Sequence, residues 1–209
     1  MRFEVSNIYH VYNQGNNHQR IFHDDRDYIK FLDLCNSYLI PYCNMLAWNL
    51  LPNHFHLMLE ANEQCAATKK QGGLLLDPLT NGFRKLLSAH SHRFNKIYNR
   101  SGALFRPKTK SKNLLVRPGV YLPENDYCLN CFCYVHQNPV RHRLVASLGD
   151  WPFSSYHFYA GANDKDFCNK NIAMKLCGFN DENFVRLIHE RVPQQYAHLF
   201  EREVAEMYS

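Results

Sequence analysis

No stretch of the 209-residue sequence approaches the ~18 consecutive apolar residues of a membrane helix, and no internal repeat or low-complexity tract is evident. The opening Met-Arg-Phe-Glu-Val-Ser lacks the apolar centre of an export signal, so the expected location is the cytoplasm, with no membrane partner. The eight cysteines include a Cys-x-x-Cys at 128 and 131, but no second pair stands at zinc-finger spacing, which argues against a structural zinc site. A cytoplasmic chain of this length does not depend on disulfide staples, and reduced thiols are expected. Acidic side chains are missing altogether between Asp77 and Glu124, while Arg84, Lys85, Arg93, Lys96, Arg100, Arg106, Lys108, Lys110, Lys112 and Arg117 fall in that window. A single-sign block of this kind fits a polyanionic partner such as nucleic acid, or a solvated basic face without further role.

What is present is an ordinary apolar fraction with many aromatics, the composition of a globular protein rather than a disordered one. Ile8 to Asn13 reads as a strand stopped by Gly15 and Asn16. Asp24 and Asp25 open a helix that Pro41 closes, and Met45 to Leu51 forms a second strand. Leu-Pro-Asn at 51 to 53 turns the chain into a third strand, antiparallel to the second. Residues 62 to 78 read as a loop, and from Leu79 apolar positions recur at helical spacing. Leu104 to Leu114, alternating with basic residues, reads as a fourth strand. A helix capped by Asn125 or Asp126 then runs to 138, where Pro139 is expected to end it. The order is the βαββαβ of an α+β fold on a ferredoxin-like antiparallel sheet, with an added helix and a helical C-terminal tail around 182 to 207.

Two patterns carry chemistry. In Asn-Leu-Leu-Pro-Asn-His-Phe-His-Leu-Met-Leu-Glu, residues 49 to 60, strand alternation puts His54, His56 and Met58 on one face and Phe55, Leu57 and Leu59 on the other. Two imidazoles about 6.6 Å apart along a strand can converge on one cation, or can be half-buried structural histidines. In Cys-Tyr-Val-His-Gln-Asn-Pro-Val, Tyr134 and Asn138 stand four apart on one helical face and His136 points away. An amide oxygen can bind a divalent cation and a phenol can act as nucleophile in phosphoryl transfer; a capping Asn with a core Tyr is the other reading.

Three separated segments also carry a family resemblance: Tyr-His-Val-Tyr-Asn-Gln-Gly at 9 to 15, Leu-Leu-Pro-Asn-His-Phe-His-Leu-Met-Leu at 50 to 59, and Tyr-Val-His-Gln-Asn-Pro-Val at 134 to 140 with Asp-Trp-Pro-Phe-Ser-Ser-Tyr at 150 to 156. With these the chain resembles the single-tyrosine HUH transposases, and more closely their REP-associated relatives, which process single-stranded DNA at hairpins. The resemblance implies His54 and His56 as the metal-binding histidine pair, Asn138 as third ligand, Tyr134 as nucleophile, and Mg or Mn as the cation. It implies a 5′-phosphotyrosine intermediate, nicking and rejoining without ATP, a single-stranded or hairpin DNA partner, a nucleoid-associated bacterial-type protein, and a monomer or homodimer. The catalytic domain would span residues 1–160, and a helical extension residues 161–209. Candidates for DNA contact are Arg84, Arg93, Lys96, Arg106, Lys108, Lys110 and Lys112 on phosphates, with Phe105 as a stacking ring. Two departures from the family pattern bear on the DNA path: Arg141-His142-Arg143 after Asn-Pro-Val, and Gly-Ala-Leu-Phe-Arg-Pro at 102 to 107. Neutral imidazoles are needed as ligands, so activity is expected to fall below about pH 6. The rival class is a non-catalytic nucleic-acid-binding module on the same sheet. A metal-dependent hydrolase barrel is a weaker rival, since it needs about 250 residues.

Overall fold

The computed structural model describes residues 1–71, 73–115, 124–163 and 166–190. Its elements run β1 (Ile8–Gln14), α1 (Asp25–Tyr38), β2 (Cys43–Leu51), β3 (His54–Ala61), β4 (Lys69–Gln71), β5 (Leu74–Leu76), α2 (Pro78–Ile97), β6 (Lys110–Asn113), α3 (Glu124–Arg141), α4 (Tyr156–Tyr159), α5 (Lys170–Cys177) and α6 (Phe184–His189). The main sheet has the order β2-β3-β1-β6, and β2–β3, β3–β1 and β1–β6 all pair antiparallel. That is the ferredoxin-like order expected from the sequence.

Local chemistry explains the punctuation. Asp24 caps α1 by accepting from the Arg26 backbone N–H, and Asp77 caps α2 by accepting from Thr80, each satisfying a donor with no partner inside its helix. Gly15 sits where a Cβ would meet the Gln19 carbonyl oxygen at 2.0 Å, so β1 can turn there only without a side chain. Gly82 does the same service between helices, since its Cβ would lie 2.2 Å from the Tyr38 carbonyl oxygen.

The sheet is covered on both faces, which is why its central strands carry almost no exposed residue. On one side α1 and α2 bury Phe31 against Phe55, ring centroids 5.3 Å apart, with Leu57, Leu59, Phe83 and Phe94 in the same core. A side chain such as Phe31, wholly removed from water, contributes about 1.5–3 kcal/mol. On the other side α3 lies over β2 and β3. The segment expected to resemble a family motif at 150 to 156 seals the outer edge of β2. Leu50 donates to the Phe153 carbonyl, Ser155 to that of Trp48, and the Trp151 indole to that of Leu50. Farther on, Asn169 donates to Met45. Phe179, Phe184 and Ile188 of the chain beyond residue 160 belong to the same hydrophobic cluster as Phe3 and Val11.

Three expectations are corrected, and a fourth lies largely outside the described residues. Residues 62 to 78 hold the β4–β5 hairpin, with Gly73 at φ +82° in its turn, not only loop. The fourth strand is shorter than 104 to 114: β6 covers 110 to 113, while Phe105 makes a single bridge to Gly15. Pro107 has no N–H to give a ladder, so regular pairing starts only beyond it. Helix α3 does not end at 138 but continues through Pro139 to Arg141. Proline strips the Val135 carbonyl of its helical donor, and the Asn49 side-chain amide of β2 donates to that oxygen at 2.8 Å instead. The C-terminal helix is described only as α6, six residues long; residues 191 to 207 of the expected tail lie outside the described residues. So do Arg117 and the side chains of the expected caps Asn125 and Asp126.

Candidate active site

Strand register decides which side chains meet. Tyr12 pairs with His56 and Gln14 with His54 across β1–β3, while Asn49 pairs with His56 across β3–β2. Directly paired residues share a face. His10, one alternation along from Tyr12, joins the same face and the same row as His54 and His56. Against this row α3 lays Tyr134, whose ring is edge-on to His56 at 5.5 Å and 86° and to His10 at 6.1 Å and 80°. The His54 and His56 rings stand 5.1 Å apart at 88°, and His142, just past α3, packs 5.0 Å from His54. The structure thus brings together His54, His56 and Tyr134, with Asn138 four residues on along α3 and buried. His136 points elsewhere, as its spacing indicates, held by the Phe132 carbonyl and the Ser155 hydroxyl.

Contacts within the cluster orient two of its polar side chains. The Asn138 amide nitrogen donates to the Tyr134 carbonyl at 2.8 Å, which leaves its oxygen as the free end. His54 Nδ1 lies 2.7 Å from the Asn53 amide oxygen, and an oxygen only accepts, so the His54 proton sits on Nδ1 and Nε2 carries a lone pair. His54 Nε2, His56 Nε2 and Asn138 Oδ1 are all buried and have no hydrogen-bond partner among the described residues. An unmet buried polar atom costs about 1–3 kcal/mol, and these three stand on β3 and on the face of α3 that Asn138 shares with Tyr134. Among the described residues no three His, Cys, Asp or Glu side chains form a metal-holding group.

Burial sets the charge of the site. It takes His54 down to about 3, with His142 adding to the effect, and His56 well below 6.5, with His10, His54 and His142 adding to it. His142 is also lowered, by burial first and then by Arg141. All three rings are thus biased toward the neutral form that carries a lone pair. The Arg141 guanidinium lies 5.6 Å from the centre of the Tyr134 ring, so the phenol faces a fixed cation.

The basic candidates divide across the sheet. Lys110 pairs with Tyr12 and Lys112 with His10, so both stand on the face of the histidines, and Lys112 also covers the Tyr127 ring at 5.1 Å. Lys108 is exposed just before them, and Arg106 is anchored by its backbone to Gln14 and Asn13. Arg84 and Lys96 are exposed on α2, in the helix layer behind the sheet, and are not brought to the site. Arg93 pairs with the buried Asp27 at 2.6 Å and is not brought to the histidine face. Phe105 is 7% exposed and packed against Phe55 and His90. Sequence reasoning passed over His10 and Asn49, and read Arg141 and His142 only as a departure from the family pattern. Alternation with Tyr12 and a spacing of two helical turns from Tyr134 were the signals for His10 and Arg141; nothing local marks Asn49.

No family model matches the chain. Over 112 residues it is 30% identical to a REP-associated tyrosine transposase of Haemophilus influenzae, a match that covers 52% of this chain and 56% of that protein. The chain thus spans little more than half the length of this curated relative. Among solved structures, that of a REP-associated tyrosine transposase bound to a REP hairpin superposes with a TM-score of 0.53 at 17% identity, covering 80% of this chain and 87% of that one. At that identity the second likeness speaks for the fold, the first for the sequence. Both comparisons point the same way: the chain is similar to the REP-associated tyrosine transposases.

Proposed function

We propose that this protein is a metal-dependent transposase that nicks and rejoins single-stranded DNA beside hairpins through a 5′-phosphotyrosine. The observation that carries the reading is the group of three orphaned buried ligand atoms, His54 Nε2, His56 Nε2 and Asn138 Oδ1, in the cluster where His56 packs against the Tyr134 ring. These three would hold Mg or Mn, hard enough for an amide oxygen and compatible with imidazole. When bound, the cation would neutralise charge on the oxygens of the scissile phosphate. Tyr134 Oη forms the new bond to phosphorus, the P–O3′ bond breaks, and the departing 3′-oxygen takes up a proton while the phenol loses one. The phosphoester to Tyr134 retains the energy of the broken link, so a 3′-hydroxyl can reverse the step. Arg141 stands beside the phenol as a positive charge for the developing anion. Tyr134 is 2% exposed, so the arriving strand and a local opening of α3 go together. Lys110 and Lys112 border the histidine face and suit the strand's phosphates.

The test uses a labelled single strand bearing a REP-type hairpin, with Mn or Mg. The expected product is an adduct that survives denaturation, absent with Tyr134→Phe and with His56→Ala. Hairpin binding with no adduct across Mn and Mg and across strands cut on either side of the hairpin sinks the proposal and leaves the non-catalytic binding module, a reading that Tyr134's burial favours.

A further inference from the structure

His10 has no part in the scheme above, yet its ring lies within hydrogen-bond distance of one of the proposed ligands. Its Nε2 lies 2.9 Å from Nδ1 of His56, the two rings are within 18° of parallel with centroids 5.1 Å apart, and His10 is 1% exposed. A contact of that length between two ring nitrogens holds one proton, so one ring donates and the other accepts. The two arrangements have opposite consequences. With His10 as donor, neutral His56 keeps its proton on Nε2 and turns an N–H toward the orphaned atoms of His54 and Asn138, where it can bind no cation. With His56 as donor from Nδ1, its Nε2 presents a lone pair beside theirs. A metal-binding histidine needs its second N–H held by an acceptor that fixes tautomer and ring angle, commonly a carboxylate or a backbone carbonyl. For His56 Nδ1 the contact the fold supplies is an imidazole.

We infer that His10 is a positioning residue, which accepts the Nδ1–H of His56 and so fixes the tautomer in which Nε2 of His56 can bind a divalent cation. The inference rests on the reading of His56 as a ligand. It gives a physical reason for a histidine in the middle of β1, where register places it opposite Met58 and beside the His56 ring.

Two variants separate the hydrogen bond from the packing. His10→Phe keeps a ring of similar size against His56 and Tyr134 but offers no acceptor; His10→Gln restores one as an amide oxygen. Calorimetric titration of the full chain with Mn(II), without DNA, is expected to show affinity about tenfold to a hundredfold weaker in His10→Phe and largely recovered in His10→Gln. Nitrogen-15 spectra of the Mg-loaded wild-type protein are expected to place the His56 proton on Nδ1. Unchanged Mn(II) affinity in folded His10→Phe overturns the inference alone, as does a His56 proton found on Nε2. Wild-type protein that takes up no Mn(II) overturns the ligand reading and this inference with it. Where His10→Phe fails to fold, the wild-type spectra decide.

Discussion

At the scale of single residues, the histidines are held without charge by their surroundings. Burial takes His90 and His136 down to about 4 and His54 to about 3, and lowers His56 strongly. Unfolded, each titrates near 6.5, so as pH falls the unfolded chain takes up protons first. The stability these residues confer is therefore complete above about pH 6.5 and is lost progressively from there toward pH 3–4. Thermal melts of the metal-free protein should show Tm falling steadily through that window. His90→Leu, which removes a buried ring that donates to the Ile21 carbonyl and packs against Phe22, should flatten part of the fall. A Tm independent of pH between 6.5 and 4 would contradict the burial of these rings. The pair His54-x-His56 and the Tyr134/Asn138 spacing were legible because both rest on local periodicity. The bond from His10 to His56 was not, because it joins residues 46 apart and depends on strand register.

At the scale of elements, α3 carries a proline two residues from its end and remains a helix. The Asn49 amide takes over the Val135 carbonyl, tying β2 to the turn between Tyr134 and Asn138. Asn49→Ala removes that donor and leaves a buried carbonyl unmet, a loss of about 1–3 kcal/mol in denaturant unfolding. Pro139→Ala restores the helical N–H to the same carbonyl, so in the Asn49→Ala background it should recover much of the loss. The two changes therefore are expected to couple; additive effects would show that Asn49 does not serve this carbonyl. The sequence rule that a residue before proline leaves helical geometry predicted a stop at 138. Only a donor from another element allows the helix to continue, and no window around Pro139 contains Asn49.

At the scale of the whole molecule, the sheet partitions the basic block. Lys110 and Lys112 lie on the histidine face, Arg84 and Lys96 in the helix layer behind it, and Arg93 in an ion pair with Asp27. If the strand runs over the histidines, Lys110→Ala and Lys112→Ala should weaken hairpin binding and each lower the slope of log K against log salt by about 0.7–0.9. Arg84→Ala should leave the slope unchanged; an equal change in all three would place DNA on both faces of the molecule. The sequence by itself determined the order of strands and helices, the absence of any apolar run long enough for a membrane, and the candidates for ligand and nucleophile. Periods of 2 and 3.6, turn residues and charge runs are local properties, and they survive in a linear reading. Tertiary structure alone decided that β3 and α3 meet face to face, which lysines share that face, that Phe105 is interior, and that His10 touches His56. These depend on pairing register and layer order, set by contacts between residues tens of positions apart, which no local pattern encodes.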